Sequence, residues 1–81
     1  MAGLRQQMGA LLRRLRMEAG LTQEQLESRT GVHRTYIGDI ERGEKRITVE
    51  TLEKVARGLD LTLAQFFAQL EQEEEAEASE R

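Results

Sequence analysis

The 81-residue chain has room for one domain, and a domain of this size buries only about 60% of its unfolded surface, so its core must be thin. It has no cysteine and a single histidine, His33, which excludes a disulfide framework, a thiolate metal site and any site built from several imidazoles. The net charge of −3 hides a segregation, because residues 71–81 carry six glutamates and one arginine while residues 1–70 carry eleven basic and nine acidic side chains. Patches rather than bulk charge decide nucleic-acid binding, so the acidic total does not argue against it. No apolar run approaches the roughly 18 residues of a membrane span, and no signal peptide is recognisable, so a soluble cytoplasmic protein is expected.

Proline is absent, and the only β-branched cluster is Ile47-Thr48-Val49. Apolar residues recur at helical spacing, which predicts an all-α, compact five-helix fold. A first helix spans roughly Leu4 to Ala19, with Leu4, Met8, Leu11, Leu12 and Leu15 in one stripe and Gly20 at its end. Thr22-Gln23-Glu24-Gln25 fits a capping box that opens a second helix, which stops near Thr30-Gly31. A third runs from Arg34 to about Arg42 behind His33 as N-cap, with Val32, Ile37 and Ile40 pointing inward. After a loop at Glu44–Ile47, Thr48 caps a fourth helix carrying Leu52, Val55, Ala56 and Leu59, with Glu50 favoured by the helix dipole. Thr62 caps a short fifth helix bearing Leu63, Phe66, Phe67 and Leu70. The composition predicts a domain over 1–70 and an acidic, disordered tail over 71–81, since a block of like charge is usually solvated chain.

Two short helices joined by a tight turn containing glycine are the helix-turn-helix signature. Gly31 can take the positive φ that such a turn needs. Leu26, Val32, Ile37 and Ile40 set the angle between the helices, so the second can enter a major groove about 12 Å wide.

Three stretches carry a family resemblance: L-R-R-L-R-M-E-A-G-L-T-Q-E-Q-L (Leu12–Leu26), G-V-H-R-T-Y-I-G-D-I-E-R-G (Gly31–Gly43) and I-T-V-E-T-L-E-K-V-A-R-G-L-D-L (Ile47–Leu61). Together they resemble the lambda repressor and Cro-like, or XRE, DNA-binding proteins from Met8 to Phe67. H-R-T-Y-I and I-E-R-G are most similar to the controller proteins of restriction–modification systems. The resemblance implies that Gln23 contacts a phosphate and supports the recognition helix. It also implies that Arg16 and Glu41 pair as a structural brace between the first and third helices.

Arg34 and Thr35, at the exposed start of the recognition helix, are expected to meet base edges, since arginine pairs bidentately with guanine. Tyr36 either reaches a phosphate or packs on the second helix, and Gly38 and Asp39 share its side one turn on. His33 is expected to cap the helix or touch DNA, with no metal or catalytic role. Lys45 and Arg46 are the next phosphate contacts. Two positions depart from the family pattern. Glu27 stands where alanine usually allows close crossing, and Gly38 stands where many relatives have serine. Gly38 either lets backbone approach DNA or is merely tolerated.

The implied function is a sequence-specific, non-enzymatic transcription regulator that binds a palindromic operator on double-stranded DNA as a homodimer. It would need no cofactor, metal or small-molecule ligand, would make no membrane contact, and as a controller protein would regulate its own promoter. Leu63, Phe66, Phe67 and Leu70 are the candidate dimer interface, with Leu63 and Phe66 mainly inward and Phe67 and Leu70 available to the partner. The alternatives are the antitoxin of a toxin–antitoxin pair and an adaptor that uses the helical fold only for protein contacts.

Overall fold

Capping side chains and left-handed closures set the limits of five helices: α1 (Leu4–Glu18), α2 (Gln23–Thr30), α3 (Arg34–Glu41), α4 (Val49–Gly58) and α5 (Leu63–Ser79). The computed structural model describes residues 3–79, with side chains through Glu73. No strand occurs among the described residues.

The helix starts follow the sequence signals. Thr22 Oγ1 accepts from Gln25 N at 3.1 Å while Gln25 Oε1 accepts from Thr22 N at 2.8 Å, completing the box. Thr62 and Gln65 form a second box at α5, at 3.1 and 2.9 Å. Thr48 Oγ1 accepts from Thr51 N. The ends of α1, α3 and α4 close in the same way. The amides of Leu21, Glu44 and Leu61 reach back to the carbonyls of Arg16, Asp39 and Ala56. Each closure needs a left-handed residue. Glycine fills that place after α1 and α3, whereas Asp60 takes φ 60° after α4.

Leu11, Leu26, Leu52, Val55 and Phe66 are the largest fully buried side chains, so every helix except α3 gives the centre one or two of them. Ile37 and Ile40 carry α3 onto the same cluster. The α1–α3 crossing is close because of Gly9: a Cβ there would lie 2.1 Å from the Ile40 carbonyl oxygen. A glycine inside a helix costs about 1 kcal/mol relative to alanine, and here it permits backbone-to-backbone approach that no side chain would allow.

Three expectations require correction. α5 is not short: its backbone stays helical to Ser79, through most of the segment expected to be a disordered tail. Glutamate, glutamine and alanine are good helix formers, and neither glycine nor proline interrupts them. Glu80 and Arg81 lie outside the described residues. Second, Leu70 is 5% exposed and packs in the protomer's own core with Phe66, so neither is available to a partner. Residues 63, 66 and 70 repeat at helical spacing and share one face, which α4 and α1 cover. Third, Leu4 projects from the end of the α1 stripe and is exposed.

Candidate nucleic-acid interface

Helices α2 and α3 meet through the turn Gly31-Val32-His33. Gly31 lies at φ 76° and its amide donates to the Glu27 carbonyl. Thr30 Oγ1 donates to Leu26 O at 2.8 Å and accepts from Val32 N at 3.1 Å, so one hydroxyl ties the turn on both sides. Val32 is buried and anchors the turn to the core. His33 Nδ1 then accepts from Thr35 N at 3.0 Å and caps α3.

His33 Nε2 faces Glu27 Oε2 at 3.9 Å. This accounts for the unusual glutamate: its carboxylate turns out of the α2–α3 crossing toward the imidazole.

The angle of α3 is held by a polar cluster under its C-terminal end. Glu41, the only buried charged residue among those described, receives Arg16 Nε at 2.7 Å, Arg16 Nη2 at 3.0 Å and Gln23 Nε2 at 3.1 Å. Arg16 Nη1 also donates to Leu21 O at 2.8 Å. Hydrogen bonding to Glu41 raises the Arg16 pKa above its ordinary value against a smaller opposing effect of burial. One carboxylate therefore joins α1, α2 and α3, and Gln23 is bound into it.

The remaining candidate residues fall into two groups. Arg34 and Thr35 are exposed on the first turn of α3, and Lys45 and Arg46 are exposed on the loop beyond its end. Tyr36, Gly38 and Asp39 are engaged within the protein. Tyr36 packs against the core and its hydroxyl donates to Arg46 O at 2.8 Å, which uses its single proton and leaves none for a phosphate. The tyrosine braces the loop that carries Lys45 and Arg46. Gly38 is buried beneath the Gln23 and Arg42 side chains, which lie 3.1–3.5 Å from where its Cβ would be. Its backbone is therefore covered from the side expected to face DNA. Asp39 is ion-paired with Arg42 Nη2 at 2.6 Å, which offsets an acidic charge on the recognition helix.

Sequence reasoning missed the Tyr36–Arg46 and Gln23–Glu41 bonds and the pairing of Arg42 with both Asp39 and Glu44. The Asp39–Arg42 pair was legible as an i, i+3 spacing. The first two span a turn or two helices and left no local signal.

The helix-turn-helix family profile matches residues 12–66. An uncharacterised helix-turn-helix transcriptional regulator, y4dJ of Sinorhizobium fredii, is 41% identical over 59 residues, 73% of this chain and 77% of that protein. Control protein C.MunI of a Mycoplasma species is 36% identical over 66 residues, 80% and 89% of the two chains. Among solved structures, the restriction–modification controller protein C.Esp1396I, seen as a tetramer with its natural 35 base-pair operator, superposes with a TM-score of 0.83. It is 33% identical, over 90% of this chain and 96% of that one. The chain belongs to the XRE-type helix-turn-helix family, whose members include these controller proteins.

Proposed function

We propose that this protein is a sequence-specific DNA-binding transcription regulator of the controller type, reading a palindromic operator as a homodimer in the cytoplasm. The observation that carries the reading is the exposure of Arg34 and Thr35 at one end of a braced α3 and of Lys45 and Arg46 at the other. Phosphate contacts position a protein on the duplex and base contacts specify the sequence. Here the two kinds of residue are separated by the length of α3. The likeness to a controller protein solved with its operator supports the same reading. Regulation would follow from protein concentration through dimerisation and operator occupancy, with no catalytic step, cofactor or small-molecule effector.

Selection of bound sequences from random DNA tests the proposal, and a palindromic consensus is expected. Against that consensus, Arg34→Ala should weaken binding by about 1–3 kcal/mol and relax the preference for one guanine per half-site. Uniformly weaker binding to every sequence would instead make Arg34 a phosphate contact.

Within the expected dimer patch, Phe67 is 38% exposed and stands edge-on to Phe66, ring centroids 5.8 Å apart at 78°. Leu63 is half-buried beside it on α5. Phe67 and the exposed part of Leu63 are therefore the residues of that patch we assign to the two-fold interface. Burying a phenylalanine contributes roughly 1.5–3 kcal/mol, and an isologous contact uses it twice. Phe67→Ala should shift sedimentation toward monomer. A variant dimer as tight as wild type would place the interface elsewhere.

A further inference from the structure

An open groove of about 490 Å³ runs between the first turn of α1 and the loop after α3. Met8, Ile40 and Ile47 form its floor, and Arg5, Lys45 and Arg46 stand around it. The two elements are held in register. Gly43 lies directly on Gln6, leaving 2.9 Å between the Gln6 Cγ and the place a Cβ would occupy. The Tyr36 hydroxyl holds the Arg46 carbonyl from the other side.

The three cations share one charge problem. Each is exposed, and among the described residues none lies within ion-pair distance of a carboxylate. Glu44, the acid next to Lys45, is bound to Arg42 Nε at 3.2 Å. Like charges gathered around one groove repel, and a polyanion supplied from outside relieves that repulsion. The groove also lies at the right place for the edge of a duplex. α3 has eight residues, or about 12 Å of helix, between the Arg34 end and the loop. That length matches the roughly 12 Å width of the major groove. With Arg34 in the major groove, the loop at the far end of α3 would reach the backbone strand beside it, and the first turn of α1 lines the same protein groove as that loop.

We infer that Arg5 is a further DNA contact, gripping a backbone phosphate beside those held by Lys45 and Arg46, so that α1 and the α3–α4 loop form one three-cation clamp. This rests on the DNA-binding reading above and adds α1 to the interface. Because phosphates carry no sequence information, Arg5 contributes affinity and register but no base preference.

The test titrates wild type, Arg5→Gln and Arg5→Lys with the selected operator and with a random duplex, at 50 and 200 mM salt. Arg5→Gln should weaken both complexes by the same factor. Its disadvantage against wild type should narrow about three- to fourfold per protomer across that salt range, because one phosphate fewer is neutralised and its counterion stays on the DNA. Arg5→Lys should keep the wild-type salt slope. Both variants should melt with wild type, since Arg5 is exposed. A wild-type slope in Arg5→Gln, a loss confined to the operator, or a shifted melting temperature would each overturn the clamp. If wild type itself bound no selected sequence, the DNA-binding reading would fail and the clamp with it.

Discussion

Replacing Glu41 with alanine should destabilise the protein by about 3–5 kcal/mol, because removing one partner of a buried ion pair leaves the other charge uncompensated. The Glu41 side chain is 3% exposed and that of Arg16 is 11% exposed, so water can reach the orphaned guanidinium only in part. The carbonyl of Leu21 remains to Arg16, and Gln23 Nε2 loses its acceptor. A domain of this kind has about 5–15 kcal/mol of stability in all, so the loss should be plain in a urea titration. The double variant Arg16→Met with Glu41→Leu should recover much of it, since apolar side chains of similar volume often replace a buried pair at little cost. A Glu41→Ala variant within about 0.5 kcal/mol of wild type would show that the cluster is not a brace. Operator affinity should fall in Glu41→Ala even though the carboxylate is buried, because α3 loses its fixed angle to α1 and α2.

Phe66→Ala should cost a similar amount, about 3–5 kcal/mol, from the forfeited transfer free energy and the cavity left behind. Phe66 is 0% exposed and lies in the cluster with Leu11, Leu26, Leu52 and Val55. In a domain of this size each kcal/mol shifts the melting temperature by roughly 4–8 °C, so a fall of more than about 12 °C is expected. Its neighbour provides the control. Phe67 is partly exposed and is not a member of that cluster, so Phe67→Ala should melt within a few degrees of wild type when the protein is dilute enough to be monomeric. Equal losses from the two substitutions would mean that α5 docks on a different face. The pair thus separates what holds the protomer from what is offered to a partner.

Local chemistry was enough to place the five helices, apart from the C-terminal end of α5. Thr22, Thr48 and Thr62 accept from the amide three residues on, His33 accepts from the amide two residues on, and Gly20, Gly31 and Gly43 take positive φ where a helix ends. These signals act within a few residues, so they can be read without knowing what packs against what. The exposed ends of the candidate interface, Arg34 and Thr35 at one side and Lys45 and Arg46 at the other, were legible for the same reason. They flank a recognisable turn and a recognisable helix.

Tertiary structure decided the rest. Periodicity located an apolar cluster on α5 but could not say how much of it one protomer covers. Packing against α1 and α4 buries Leu70 with Phe66 and leaves Phe67 partly outside. The fate of Tyr36 depended on where the loop returns, because its hydroxyl bonds a carbonyl ten residues away. The space above Gly38 is filled by Gln23 from another helix as well as by Arg42. The need for glycine at position 9 comes from the Ile40 carbonyl, which another helix brings against it. A side chain's partner across the fold is chosen by the angle and distance at which helices cross. That geometry is set by the whole core together, whereas the start and end of each helix are set by its own few residues.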